Sequence, residues 1–286
     1  MLKNLKGLPT GYNKVSDLKL VEGTNFLYGG LNLVYGIDGS GKSWQLAMSF
    51  ASEAVYIDTD GSNGSAFLDH CTTNEVHYIN SDTVETFKGT TTISRILELI
   101  EAIVNENPEQ LIFIIDSLSS INEGGNINNS EDISPIMYVM NNFAEKHGIS
   151  LILVDHATEN KEFPDGFKLE GNSGSKRRTT VTVNRYVSHN KAYPSLGGSF
   201  ICERARGNKD GLSKGSVITI HPASLSDSRT WVTNRFPKLL TGESITATDL
   251  TKVTKNKKDL WIRRYKAELF TESIANRTTH LKLKDL

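Results

Sequence analysis

The chain has 286 residues, 37% of them hydrophobic, and a formal net charge of −1. This is enough for one sizeable core with a small appendage, and the balanced charge does not by itself require a nucleic-acid partner. No run approaches the roughly 18 apolar residues of a membrane span, and Cys71 and Cys202 form no metal-like or disulfide pattern, so we expect a cytoplasmic protein without a membrane partner.

The first half of the chain alternates between strand and helix patterns. Leu31–Tyr35 predicts a buried strand, Lys42–Glu53 a helix and Ala54–Asp58 a second strand. The next strand is predicted at Val76–Ile79, and the helix after it has Ile93, Ile96, Leu97, Ile100, Ile103 and Val104 on one face. A strand at Leu111–Ile115 follows. The last helix of this half has Ser134 as its N-cap and Pro135 as its first residue, ends at Gly148, and precedes a strand at Ile149–Val154. This order predicts an α/β fold, a mostly parallel sheet with helices on both faces.

The pattern changes after Gly174. Strand-like segments at Thr180–Val187, Ser199–Cys202 and Val217–Ile220, with turns between them, predict antiparallel strands that extend the sheet. The chain from about Ile245 looks helical and ends in THLKLKDL, a short strand. We therefore predict one domain over residues 1–240 and a small, mainly helical appendage over 241–286, for which a winged-helix-like fold is one option.

The appendage is basic. Residues 252–286 contain ten Lys or Arg and four Asp or Glu, a local net charge of +6. A basic tail can bind nucleic acid, but a solvated helix face has the same composition, so both interpretations stay open.

The segment GIDGSGKS at Gly36–Ser43 fits the phosphate-loop pattern G-x-x-x-x-G-K-[ST], with a strand before it and a helix after it. Its glycines let backbone N–H groups wrap phosphates, and the helix N-terminus adds a positive dipole end. Lys42 can reach the β- and γ-phosphates, and the Ser43 hydroxyl can ligate Mg²⁺. We predict ATP and Mg²⁺ as cofactors, with the nucleotide bound by Gly36, Ile37, Asp38, Gly39, Ser40, Gly41, Lys42, Ser43 and Trp44.

Carboxylates follow two of the predicted strands. Asp116 closes LIFIID, where a carboxylate faces the ligand-binding crevice of an open α/β sheet, so we predict that it holds the Mg²⁺ shell with Ser43. Asp58 and Asp60 follow AVYI, and one of them is expected to activate the attacking water. The residues alone do not choose between the two.

These motifs, in this order, resemble the RecA/DnaB/KaiC superfamily of P-loop ATPases from about Thr10 to Pro222. TGYNKVSDL is similar to the superfamily's lead-in to the phosphate loop. VYIDTDG resembles the recombinases' YIDTEG, whose glutamate polarises water. This alignment selects Asp60, although aspartate is shorter than glutamate. LILVDHATEN resembles the strand that ends in a γ-phosphate sensor, which implies that role for His156; a histidine that only satisfies a turn is the alternative.

The resemblance also implies partners. EGNSGSKRRTTVTVNRY is similar to the stretch after the second DNA-binding loop, which makes Ala157–Asn172 that loop and Ile121–Ile133 the first. The cations that it offers to nucleic acid are Lys161, Lys168, Lys176 and Arg177, with Arg178 beside them. The alternative is that both loops are plain solvated loops.

ICERARGNKDG resembles the strand that carries two cations into a neighbouring subunit's ATP site. Arg204 and Arg206 match that spacing and share a strand face. They would act in trans on the transferring phosphoryl group. The alternative is two surface arginines on an edge strand, and Glu203 is a candidate partner for either one.

The resemblance implies a small stand-alone ATPase of plasmid or phage type that acts as a ring-forming helicase or single-strand DNA translocase in replication or recombination. We expect a homo-oligomer, a hexameric ring, in a bacterial or phage-infected host cytoplasm. A recombinase-like or mediator protein that forms filaments is a second interpretation. A nucleotide-gated binding module with vestigial hydrolysis is a third, since Asp60 replaces the usual glutamate.

Overall fold

The computed structural model of the chain describes residues 18–21, 24–50, 53–61, 63–73, 76–159, 167–188, 197–206, 212–220, 229, 232–254, 269–275 and 278–284. Their strands are β1 (Gly30–Gly36), β2 (Ala54–Asp58), β3 (His77–Ile79), β4 (Ile112–Asp116), β5 (Ser150–Glu159), β6 (Phe167–Leu169), β7 (Thr182–Ser188), β8 (Gly198–Ala205), β9 (Val217–Ile220), β10 (Ser244–Thr246), β11 (Phe270–Ala275) and β12 (Thr278–Leu283). Their α-helices are α1 (Lys42–Phe50), α2 (Ser65–Thr73), α3 (Ser81–Glu85), α4 (Thr92–Glu106), α5 (Leu118–Ile121), α6 (Ser130–His147), α7 (Ser173–Thr179) and α8 (Ala247–Thr254).

The main sheet has the strand order β3-β2-β4-β5-β1-β7-β8-β9. The strands from β3 to β7 are parallel, whereas β8 and β9 run antiparallel, so the predicted fold class is confirmed. β5 lies between β1 and β4. The carboxyl ends of the phosphate-loop strand and of the Asp116 strand are therefore separated by the end of β5, which carries His156.

Apolar side chains cover both faces of this sheet, because successive residues of each strand point to opposite sides. On β1, Leu33 and Tyr35 pack on one face with the residues of α4 and α6. Val34 packs on the other face with Leu46 and Phe50 of α1. The two clusters fix the carboxyl ends of the strands, where the candidate site lies.

The helix before β5 begins earlier than the sequence predicts. We expected Ser134 as its N-cap and Pro135 as its first residue, but α6 begins at Ser130 and Asn129 is the cap. The Asn129 side chain accepts a 3.0 Å hydrogen bond from the backbone N–H of Glu131, which satisfies an otherwise orphaned donor. The expected first loop, Ile121–Ile133, is shortened accordingly, while the predicted end at Gly148 is confirmed.

The expected second loop is built on a β-hairpin. Ala157 to Glu159 at the end of β5 pair antiparallel with β6, and residues 160–166 lie outside the described part of the chain. His156 is the last residue of β5 paired with β1, opposite Gly36, and Ala157 is the first paired with β6. This junction between sheet and hairpin therefore falls at the predicted sensor.

A separate antiparallel sheet, in the order β10-β12-β11, lies near the C-terminus. Its core combines Leu250 of α8 and Leu281 of β12 with Val232 and Leu239, which precede the predicted boundary at residue 240. We propose that the appendage begins near residue 229. The described part contains α8 and three strands, one of which is the strand predicted from THLKLKDL, while residues 255–268 lie outside it. Among the described helices, none has the length and apolarity needed to cross a membrane.

Candidate nucleotide site and interface residues

The phosphate loop joins β1 to α1 in a geometry that requires its glycines. Gly39 and Gly41 have φ values of 68° and 88°, in the left-handed region that side chains disfavour. A Cβ at Gly36 would lie 3.0 Å from the Tyr186 backbone oxygen. The loop can therefore bring backbone N–H groups close to a ligand, as the sequence pattern predicts.

Lys42 lies at the start of α1 with its side chain buried against the loop. Its ammonium donates hydrogen bonds of 2.9 and 3.0 Å to the carbonyls of Gly36 and Ile37. Burial lowers the pKa of Lys42, and the charges of Asp116 and Asp38 oppose this shift. A bound phosphate would supply the countercharge that this buried cation needs.

Asp116 ends β4 beside Ser43, as expected for a divalent-cation site. The Ser43 hydroxyl donates a 2.5 Å hydrogen bond to Asp116 Oδ2, and the buried Tyr56 hydroxyl donates to the same oxygen. Burial raises the pKa of Asp116, while the hydrogen bonds from Ser43 and Tyr56 and the charge of Lys42 lower it. A hydroxyl and a buried carboxylate suit Mg²⁺, which prefers oxygen ligands and would stabilise the charged form. Ser43 and Asp116 therefore fit the predicted ion.

Asp58 and Asp60 have different environments. Asp58 is fully buried and accepts hydrogen bonds from Tyr78 (2.6 Å), Asn63 (2.9 Å) and the Gly61 N–H (3.0 Å). Burial raises the pKa of Asp58, but these hydrogen bonds outweigh it, and the net shift is downward. Asp58 thus organises the turn after β2. Asp60 is exposed and lines the same cavity as Lys42.

His156 lies across the loop from Lys42. Its Nδ1 contacts the Asp38 carboxylate, and its Nε2 is 3.5 Å from the Ser119 hydroxyl. The contact with Asp38 holds the imidazole at the phosphate loop. Ser119, on α5, was not predicted from the sequence, because the SLSS segment after Asp116 matches no motif that we recognised.

One cavity of about 680 Å³ joins these groups. It is lined by residues 38–44 together with Asp60, Asn63, Asp116 and His156. Trp44 closes one side and packs edge-on against Phe67, with ring centroids 5.7 Å apart. We call this the phosphate cavity. Chemically, it brings a cation, a carboxylate for a metal, a second carboxylate and an imidazole to the rim of one phosphate loop.

The family model described as "AAA domain" matches residues 18–162, just over half of the chain. The chain belongs to the AAA domain family. Family membership and the strand order identify this AAA-domain protein as a RecA-like P-loop ATPase. Among solved structures it is similar to the crystal structure of the RadB recombinase, with 17% identity, a TM-score of 0.46, and coverage of 71% of this chain and 90% of that chain. No curated protein sequence matches it.

In this AAA-domain protein the two predicted trans arginines lie away from its own phosphate loop. Arg204 is in register with Val183, which pairs with Leu33 in the middle of β1, and the Arg206 N–H donates to the carbonyl of Val181, beside Leu31 at the start of β1. The loop follows the end of β1, and neither arginine lines the phosphate cavity. The Arg204 guanidinium donates to the backbone carbonyl of Arg177, and that of Arg206 donates to the carbonyl of Arg178 at 2.6 Å. Both therefore cap the C-terminal end of α7 within one chain.

Glu203 does not pair with either of these arginines. Its carboxylate accepts hydrogen bonds from Arg177 at 2.6 Å and from the Tyr35 hydroxyl at 2.7 Å, and it forms an ion pair with Arg185 at 3.3 Å. The pairing of β7 with β8 has a bulge at Glu203, since Arg204 pairs with Val183 but Cys202 pairs with Asn184. Glu203 and Arg204 both contact Arg177, the first through its guanidinium and the second through its carbonyl. The expected pairing of Glu203 with Arg204 or Arg206 is thus wrong.

The predicted nucleic-acid cations are placed differently from one another. Lys168 on β6 is exposed, and Arg177 is partly exposed but paired with Glu203. Lys176 is fully buried, and its ammonium forms a 2.6 Å ion pair with Asp155, so the prediction that it contacts nucleic acid is wrong. Lys161 lies outside the described residues. An exposed lysine that the sequence reasoning missed, Lys214, lines a cavity with Lys168 and Arg177.

Proposed function

We propose that the protein is an ATP-hydrolysing motor that acts on nucleic acid as a homo-oligomer, most simply a ring-forming helicase or single-strand DNA translocase. The observation that carries this proposal is the phosphate cavity, in which Lys42, Asp60, Asp116 and His156 line one space. A binding module with vestigial hydrolysis would not need an exposed carboxylate opposite the phosphate loop.

In this proposal the γ-phosphate of ATP binds between Lys42 and His156. Asp60 accepts a proton from a water molecule as its oxygen attacks the γ-phosphorus, and the bond from that phosphorus to the β,γ-bridging oxygen breaks to give ADP and inorganic phosphate. Lys42 stabilises the charge on the phosphoryl oxygens. Ser43 and Asp116 would hold Mg²⁺, which supplies charge neutralisation when bound.

A second cavity, of about 440 Å³, lies on the other side of the phosphate loop. It shares Asp38, Gly39 and Ser40 with the phosphate cavity and adds Phe167, Arg185 and the carboxyl end of β7. Its walls are more apolar, as an aromatic base requires. We assign the ribose and base of the nucleotide to this cavity.

We also propose catalysis in trans by Arg204 and Arg206. Neither arginine lines the phosphate cavity of its own chain, and we expect both to act on an ATP bound by a neighbouring copy. A heterologous contact that places them there closes into a ring or continues as a filament.

We place nucleic acid at a basic cleft, defined as the 320 Å³ cavity lined by Lys168, Arg177 and Lys214 at the base of the second loop. These three cations outnumber the one carboxylate in the lining, Glu203. A phosphate backbone supplies the matching charge.

A recombinase-like filament protein is the second candidate, favoured by the recombinase-like segments VYIDTDG and EGNSG.

Two measurements test both candidate functions. The rate of ATP hydrolysis is measured with and without single-stranded DNA, duplex DNA and RNA, and stimulation is expected from single-stranded DNA. Negative-stain images with ATP and single-stranded DNA should show closed rings; filaments would support the second candidate. A protein that hydrolyses ATP at the same rate with every nucleic acid would overturn both.

A further inference from the structure

Lys176 and Asp155 form a buried ion pair beside the phosphate cavity. The side chains are 0% and 4% exposed, and Lys176 Nζ lies 2.6 Å from Asp155 Oδ2. A buried ion pair is often no more stabilising than apolar residues of the same size, because both charges lose their hydration. Its presence at this position therefore calls for a reason other than stability.

The contacts of the pair supply one. The other oxygen of Asp155 accepts a 2.9 Å hydrogen bond from the backbone N–H of His156. Lys176 Nζ also donates to the carbonyl of Glu170, at 2.9 Å, one residue after β6. Lys176 is thus bonded to the sheet at Asp155 and to the hairpin strand at Glu170, on opposite sides of the junction between His156 and Ala157.

We infer that the Lys176–Asp155 pair is a positioning link that couples the second loop and helix α7 to the imidazole of His156. This inference rests on the proposed function, in which the base of that loop binds nucleic acid. A ligand in the basic cleft contacts Arg177, the residue after Lys176, and any displacement of α7 passes through Lys176 and Asp155 to the backbone of His156. The ring then moves relative to the γ-phosphate.

The test removes both charges together, because one unpaired buried charge would strongly destabilise the chain. Asp155→Asn with Lys176→Met keeps the shapes of both side chains. The matched control is Glu101→Gln with Lys146→Met, which removes an exposed ion pair of 3.3 Å between α4 and α6. For each variant and the parent, the thermal midpoint, the KM for ATP and the kcat with and without single-stranded DNA are measured.

We expect the buried double variant to keep its KM for ATP within about twofold and to lose stimulation by DNA, on the order of tenfold in kcat. The basal kcat of the buried double variant also falls, and adding its two substitutions to a His156→Gln variant lowers kcat no further. The control behaves as the parent. A buried double variant with parental basal kcat and parental stimulation overturns the inference.

If no nucleic acid stimulates the parent, the proposed function is refuted instead. The link is then judged only by the basal kcat of the buried double variant and by whether that kcat falls further in the His156→Gln background. Should the buried double variant fail to fold, the imidazole of His156 in the parent is followed by NMR with a non-hydrolysable ATP analogue. A shift of its resonances on addition of single-stranded DNA supports the link, and unchanged resonances with bound DNA overturn it.

Discussion

The Ser43 hydroxyl donates a 2.5 Å hydrogen bond to Asp116 Oδ2 across a separation of 73 residues. The contact joins the first turn of α1 to the end of β4, although β5 separates β4 from β1, the strand that leads into α1. Tyr56 donates to the same oxygen from β2. Three elements thus fix one carboxylate oxygen, and a metal held by Ser43 and Asp116 would be placed by the core rather than by a loop.

Lys42→Ala should abolish ATP binding or turnover, because the phosphates lose the cation that the loop holds at their site. ATP affinity is measured by calorimetry and hydrolysis by phosphate release. Lys146→Ala, at an exposed lysine of α6, is the control and should match the parent. Undiminished hydrolysis in the Lys42 variant would refute the phosphate-loop assignment.

Asp60→Asn should bind ATP normally but turn over on the order of 10²–10⁴ times more slowly, since it loses the proton acceptor. Its thermal midpoint should stay near that of the parent, because the side chain is exposed. Asp58→Asn should instead lower the free energy of unfolding by about 1–3 kcal/mol through weakened hydrogen bonds to Tyr78, Asn63 and Gly61. An inactive, fully stable Asp58 variant beside an active Asp60 variant would reverse the two roles.

The stabilising effect of Mg²⁺ should depend on pH through Asp116. Its folded pKa is raised, so it binds a proton more tightly in the folded chain, and without a cation its contribution to stability falls as pH rises through that pKa. A proton also competes with Mg²⁺ for the carboxylate. The extra thermal shift that Mg²⁺ gives over ATP alone should therefore be smaller at about pH 5 than at about pH 8.

Asp116→Asn is the comparison for that measurement. It should lose both the extra Mg²⁺-dependent shift and its pH dependence, as should the parent in EDTA. A parental Mg²⁺ effect in this variant would place the metal elsewhere.

Arg204→Ala and Arg206→Ala should leave ATP binding and assembly intact while hydrolysis falls, on the order of a thousandfold for a residue that acts as an arginine finger. Mixing the Arg206→Ala and Lys42→Ala proteins should restore activity that neither has alone, because a mixed interface contains one complete site. Phosphate release of the mixture is the measurement, with mixed assembly confirmed by light scattering of tagged copies. No recovery in confirmed mixed assemblies would show that the arginines do not act in trans.

Replacing Lys168, Arg177 and Lys214 by Ala should weaken single-stranded DNA binding and make it less dependent on salt, because fewer counterions are released. Affinities measured by fluorescence anisotropy across a salt series give the slope. Alanine at Lys19, Lys88 and Lys146, exposed lysines outside both the cleft and the appendage, is the matched control. If the cleft variant keeps the parental salt slope, and removal of residues 245–286 abolishes DNA binding, the site lies in the appendage instead.

The strands of the core could be predicted from the sequence because β1, β2, β4 and β5 are apolar runs buried on both faces, a signal that does not depend on distant residues. Lys42, Ser43 and Asp116 could be located for the same reason, since the phosphate loop follows the run of β1 and Asp116 ends that of β4. The start of α6 was missed because Ser134 followed by Pro135 is a strong local signal, whereas Asn129 caps the helix one turn earlier.

The placement of Lys176 could not be predicted from local sequence signals. In sequence it is one of three consecutive cations, Lys176 to Arg178, and all three look solvated. In the fold, α7 turns Lys176 inward onto Asp155, which is 21 residues away, while Arg178 stays exposed. Only the packing of α7 against the carboxyl end of β5 distinguishes them, and the sequence shows no sign of α7 beyond its Asn172 cap.

The pairing of β5 with the main sheet ends where the hairpin begins, since β4 pairs with β5 as far as Leu153 and β1 as far as His156. The strand therefore behaves mechanically as a beam that is clamped at one end. β1 holds it from Ser150 to His156, and the three residues beyond, 157–159, are paired only with β6. At about 3.3 Å per residue the overhang is about 10 Å long, so a tilt of about 6° at the clamp moves its tip by about 1 Å. His156 is the last residue of β5 that β1 holds. A tilt at His156 that is too small to disturb the core therefore moves the tip of the overhang by a distance as large as the tolerance of a hydrogen bond.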